Sequence, residues 1–233
     1  MIKKWCLLLC AGLFFSASAS FGMISEAQAQ TMRCRDSNPS LSVKTATTRT
    51  KYVRTKSAKD LTDLHGGGGG SVIGGLGGGE IGFRAETKYS IETVGKQACV
   101  KLERVEVKFY AKPEIHVASN FSRNSCEYAA VLNHENGHIR ILRKFVREYS
   151  PKVKRHMIKV AKGLDTAVGP IPATNRSVQR AQEHLQKEFV KELGKLQEKI
   201  MPVLAKRQKA HDNPREYARV DSKCRKWDQK LSN

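Results

Sequence analysis

Five residues carry the strongest chemical signal in the chain: His134-Glu135-Asn136-Gly137-His138. On a helix, positions i and i+4 point the same way, so the two imidazoles can share one zinc ion. The glutamate between them then reaches the water on that ion. This is the core of a zinc hydrolase, most often a peptidase. The flanking residues agree with it. On a helical wheel Tyr128, Val131, Leu132, Ile141, Leu142, Phe145 and Val146 fall on one side, with His134, Glu135 and His138 among them. Asn133, Asn136, Arg140, Arg143, Lys144 and Arg147 occupy the other side. The competing reading is a helix with two buried histidines and a glutamate satisfied by hydrogen bonds. That burial is costly without a metal or partners.

A catalytic zinc takes three protein ligands and keeps one position for water. Position 144 is lysine, so the third histidine of the metzincin pattern is absent. The third ligand must come from further on, from His156, Glu183, His184, His211, Asp212, Glu216 or Tyr217. Residues 207–224 (RQKAHDNPREYARVDSKC) concentrate ligand-type side chains with a tyrosine. His211 is the first choice, with Tyr217 as the donor that steadies an oxyanion. Zinc lowers the pKa of its water toward ~7, and Glu135 is the general base. The substrate class is a peptide bond in an envelope or extracellular protein, and amidase action on a cell-wall peptide would use the same parts. The rival from another class is a basic envelope-binding protein with a structural or vestigial zinc site, favoured if His134, His138, His211 and Asp212 close the site together. A self-associating helical adaptor is a further rival.

The elements that must position these residues divide the chain. Residues 126–233 read as helical. The HExxH helix runs to about Tyr149 and stops or kinks at Pro151, after which residues 152–164 can continue it. Gly169-Pro170-Ile171-Pro172 is a break. A long helix begins near Asn175, with Leu185, Phe189, Leu193, Leu196, Ile200 and Leu204 as an apolar stripe. Residues 30–125 read as β-rich. Residues 40–54 suit strands, Ser57 with Asp60 suits a helix cap, and residues 81–93 and 98–110 read as two strands. In the second of these Val100, Leu102, Val105, Val107 and Phe109 alternate loosely. Residues 113–121 are a last extended piece, with His116 as surface or core rather than ligand. Residues 105–118 are the candidate edge strand for substrate. Ten of the chain's 18 glycines lie in residues 66–79, which suit a loose surface loop or a flap over the cleft. The fold class expected is α+β: a small N-terminal β-sheet packed on a C-terminal antiparallel pair of long helices, one carrying HExxH, in a single domain.

The first 29 residues read as a secretory signal. Lys3 and Lys4 precede a short apolar run, and Ala27-Gln28-Ala29 is a cleavage site. No later segment is apolar enough to span a membrane. The mature chain of 204 residues should be secreted or periplasmic. Removing the signal takes away two lysines and one glutamate, and the formal charge falls from +20 to +19. Such a charge favours anionic envelope components. Aromatics are not interleaved with the basic runs, so no specific nucleic-acid partner is expected. Cys34, Cys99, Cys126 and Cys224 remain after cleavage and suggest two disulfides. If the two long helices run antiparallel with residues 211–217 beside His134, Cys126 lies ~12 Å back and Cys224 ~10–20 Å forward. The favoured pairs are therefore Cys126–Cys224 and Cys34–Cys99.

The order of signal peptide, short β region with a cysteine, HENGH helix and long second helix ending in KRQKAHDNPREY resembles the bacterial secreted zinc-dependent-protease-like family of unknown function. The resemblance covers roughly residues 85–225. It implies a zincin-like fold and a zinc site at His134 and His138. Where that family would offer a histidine after its Tyr-Asp, Tyr217 stands here.

Overall fold

The computed structural model describes residues 32–65 and 72–225 with Trp227 and Leu231. Residues 1–29, which read as a secretory signal, and glycines 66–70 lie outside the described residues. Four of the strands are organised by one. This strand, β4 (Gln97–Val117), pairs along one edge with β5 (Ala167–Pro172), β1 (Ser40–Thr47) and β2 (Lys51–Val53), and along the other with β3 (Gly75–Val94). The β1 and β2 pairings are parallel and the β3 and β5 pairings antiparallel, so the five-stranded sheet is mixed.

The loose alternation in β4 has a structural cause. Lys88 pairs with Arg104 and Tyr89 with Leu102, which leaves Glu103 as an extra residue in a bulge. Inward-facing positions therefore change phase, from Val100 and Leu102 to Val105, Val107, Phe109 and Ala111, all buried. A one-residue slip would otherwise turn the second half of the strand to water.

Two long helices cover one face. The first, α2 (Cys126–Gly163), is capped by Ser125, whose side chain accepts from the Tyr128 amide. It runs unbroken through Pro151, where a stop or kink is the expectation from sequence. Pro151 and Arg147 are both exposed, so the carbonyl that loses its partner faces water. The second, α3 (Asn175–His211), starts at the Thr174 cap. The helices are antiparallel: His134 meets His211, His138 meets Gln208, and His156 lies near Glu192. The apolar stripe of α3 from Phe189 to Leu204 packs with Leu142, Phe145, Val146, Val153 and Met157 of α2 onto Leu102, Val105, Val107 and Phe109 of β4 in one core, and Leu185 joins Ala181 and Val100 in a smaller one. Phe109 stacks on Phe83 of β3 and meets Phe145 edge-on.

Both disulfides form as expected, Cys34–Cys99 and Cys126–Cys224. The short helix α1 (Ala58–Leu64) carries the capping box of Ser57 and Asp60. Three expectations are corrected. Residues 105–118 are not an edge strand, because β4 is paired on both sides. Residues 167–172 are not only a break. They add β5 at the sheet margin, where Pro170 and Pro172, lacking an N–H, are tolerated. The glycine tract is not wholly a loop, since Gly75, Gly77, Gly78 and Gly79 belong to β3. No helix among the described residues is long and apolar enough to cross a membrane.

Candidate metal centre

The HENGH residues sit in the first half of α2, on its buried side. His134, Glu135 and His138 are 6%, 5% and 6% exposed. The end of α3 meets them. Its chemistry comes from a local break: α3 stops at His211, Asp212 is its C-cap, and Asn213 caps α4 (Pro214–Asp221) by accepting from the Glu216 amide. The Asn-Pro pair ends one helix and starts the next, so the side chains of His211, Asp212, Glu216 and Tyr217 all turn toward α2. The Cys126–Cys224 bond ties the residues just after α4 to the first residue of α2.

His134, His138 and His211 form a group that could hold a metal ion, each offering a nitrogen within 4.8 Å of the others. The His211 ring stacks on His134 at 4.8 Å and stands edge-on to His138. Its Nε2 lies 3.2 Å from the His134 carbonyl, and an oxygen there can only accept, so Nε2 carries the proton. Asp212 also reaches the pair. Its Oδ1 is 2.9 Å from Nε2 of His138 and 3.2 Å from Nε2 of His134.

The tautomers of the two α2 histidines follow from their other nitrogens. Gln208 donates its amide Nε2 to the His138 carbonyl at 3.2 Å, which fixes the amide orientation. Its Oε1 then accepts from Nδ1 of His138 at 2.7 Å. The Glu216 carboxylate faces Nδ1 of His134 at 3.3 Å. Both histidines therefore spend their proton on Nδ1 and present the Nε2 lone pair to Asp212. Burial also lowers the His138 pKa, against smaller upward pulls from Gln208 and Asp212. The Asp212 Oδ1 is buried and has no hydrogen-bond donor. With both imidazoles neutral and their protons on Nδ1, three lone pairs converge with no proton between them. Repulsion of that kind is relieved by a cation. The spacing suits one: tetrahedral ligation at 2.0–2.1 Å separates donor atoms by about 3.3 Å.

Glu135 lies next to this cradle, with Oε2 4.0 Å from Nε2 of His138. Burial and then the Asp212 charge push its pKa up to about 8, opposed by a hydrogen bond from the Gly77 amide. Glu216 is held down at about 2, first by the Arg219 guanidinium and then by His134. Tyr217 is half-exposed, its ring 5.7 Å from that of His134. Its phenol is pushed up by burial, then by Asp212 and Glu135, and so keeps its proton.

Of the third-ligand options, the fold brings His211, Asp212, Glu216 and Tyr217 to the pair. His156 stays with Glu192 further along α2, and Glu183 and His184 are exposed on α3. His116 lies 3.2 Å from Glu114, away from the cluster. Four contributing residues went unread in the sequence. Gln208 orients His138. Gly137 has no side chain because a Cβ there would run into the His211 ring. Gly75 and Gly77, two apart and hence on one face of β3, leave room for Glu135: a Cβ at Gly75 would stand 2.8 Å from its Oε1, and one at Gly77 2.6 Å from its carbonyl oxygen. A glycine inside a helix costs about 1 kcal/mol against alanine, so Gly137 was a readable signal of close approach. No family model, curated protein or solved structure matches the chain.

Proposed function

We propose that the chain is an exported, zinc-dependent hydrolase of peptide bonds, with His134, His138 and Asp212 as zinc ligands. One observation carries this reading. A buried Asp212 oxygen without a donor faces two imidazole nitrogens whose protons are engaged elsewhere. Two nitrogens and one carboxylate oxygen are a ligand set that zinc accepts in hydrolases. His211 packs against the set with its Nε2 engaged by the His134 carbonyl, so it would not be needed as a further ligand. Zinc held there supplies a Lewis acid that makes water acidic near neutral pH.

The chain's own residues do the rest. Glu135 accepts a proton and delivers it to the leaving amine, its pKa falling once a cation stands beside it. Gly77 N–H holds that carboxylate in place. Tyr217, protonated and half-exposed, donates toward the developing oxyanion. The two disulfides support an exported protein. A second reading has an observation of its own. His211 and Asp212 both lie against the histidine pair, and a closed four-ligand site would make the metal structural.

The test is zinc content by elemental analysis on residues 30–233, with casein hydrolysis assayed beside it. One zinc per chain is expected in the unaltered chain and in Glu135→Gln, reduced in Asp212→Ala and His138→Ala. Hydrolysis is expected from the unaltered chain alone. Zinc retained in Asp212→Ala but lost in His211→Ala would move the third ligand to His211. Zinc with no hydrolysis of any peptide substrate would support the structural site, and no zinc at all would end the reading.

A further inference from the structure

The opposite side of α2 carries a second feature. A pocket of about 520 Å³ lies between its outward face and the chain at β2. Asn133, Asn136, Arg140 and Arg143 line it from the helix, and Arg49 and Tyr52 from the other wall. The helical residues follow at steps of three, four and three, so they form one stripe. No acidic residue lines the pocket. Among the described residues none of its three guanidinium groups is in an ion pair, although lysines and arginines elsewhere find carboxylates. Arg143 is already oriented: its Nη2 donates to Thr50 Oγ1 at 3.0 Å and to the Thr48 carbonyl at 3.5 Å. Its Nε is buried and has no partner. A stranded buried donor beside two free guanidinium groups is a costly arrangement for the protein alone.

We infer that this pocket binds a phosphate group. Three planar guanidinium forks and the Asn133 amide match the several oxygens and double charge of a phosphate, and arginine pairs with phosphate in bidentate fashion. Asn136, whose Nδ2 donates to the Leu132 carbonyl at 2.8 Å, keeps one N–H to spare. The volume exceeds that of one phosphate, which leaves room for the group that bears it. The exposed Tyr52 ring at the rim, 58% accessible, is placed to cover that group. The site is separate from the zinc cradle. It uses the neighbours of His134 and Glu135 that face the other way, and it does not depend on the proposed hydrolysis.

The test is calorimetric titration of residues 30–233 with inorganic phosphate at constant ionic strength, beside sedimentation with phosphatidylglycerol or phosphatidylcholine vesicles. Arg49→Glu and Arg140→Glu change exposed residues, so folding should survive. Lys154→Glu, exposed further along α2, makes the same change in charge away from the pocket. Saturable phosphate binding at one site per chain is expected. It should weaken at least tenfold in Arg49→Glu and Arg140→Glu, and less than twofold in Lys154→Glu. Vesicle binding that is lost in the same two variants and competed by phosphate would identify the source as a lipid headgroup. Phosphate binding without vesicle binding would identify a soluble phosphate ester. No saturable phosphate binding, or equal weakening in Lys154→Glu, would overturn the proposal.

Discussion

Replacing Gln208 by alanine tests the assignment of protons at the proposed metal centre more directly than replacing a proposed ligand. Gln208 makes two hydrogen bonds to one residue: it accepts from Nδ1 of His138 at 2.7 Å and donates to the His138 carbonyl at 3.2 Å. Together they hold the proton on Nδ1 and aim Nε2 at Asp212. Removing such an orienting partner costs roughly 10–100-fold in metal affinity, or about 1.4–2.7 kcal/mol. Gln208 is half-buried, so water can replace it in part, and the metal-free protein should lose only about 1 kcal/mol of stability. Gln208→Glu is the informative partner. It keeps an acceptor for Nδ1 and adds charge that raises imidazole basicity, so it should bind zinc more tightly than Gln208→Ala. Affinity is read by competition with a chromophoric chelator, and stability by urea unfolding in excess chelator. Zinc affinity of Gln208→Ala within twofold of the unaltered chain would refute the tautomer argument. So would Gln208→Glu binding more weakly than Gln208→Ala.

Gly77→Ala places a Cβ 2.6 Å from the Glu135 carbonyl oxygen and should destabilise by ~1–3 kcal/mol, whereas Gly78→Ala, with nothing within 4 Å, should stay within about 0.5 kcal/mol in thermal unfolding. The metal-free chain should lose stability as pH rises. Below pH ~4.5 Glu135 is protonated whether folded or not, and between there and its folded value of about 8 only the folded chain keeps the proton, so stability falls across that window. Comparing urea midpoints at pH 5 and pH 9 in chelator should show a smaller drop for Glu135→Gln. Removing the Cys126–Cys224 bond by serine replacement should cost about 2–5 kcal/mol, given its 98-residue separation, and should also weaken zinc binding by loosening α4. Removing Cys34–Cys99, which lies beside β5, should cost stability while leaving zinc affinity unchanged.

The sequence by itself determined the elements whose signals are local and periodic. The apolar face of residues 126–147 put His134, Glu135 and His138 inside, because a 3.6-residue period assigns faces without knowledge of any partner. The stripe from Leu185 to Leu204 foretold the α3 face in the core, and Ser57 with Asp60 foretold the cap of α1. A supposed antiparallel packing was enough to pair the cysteines. Tertiary structure alone decided the contents of the cradle. Seven residues were chemically able to complete the histidine pair, and only the turn at Asn213-Pro214 brings the Asp212 oxygen to 2.9 Å and 3.2 Å from the two nitrogens. Gln208 was hidden because a glutamine on a polar helix side looks like any solvated residue until the carbonyl and Nδ1 of His138 stand opposite it. The glycine tract misled for a related reason. Missing side chains suggest looseness along the chain, but here they let β3 lie directly on Glu135, and close approach between two elements is a property of their packing.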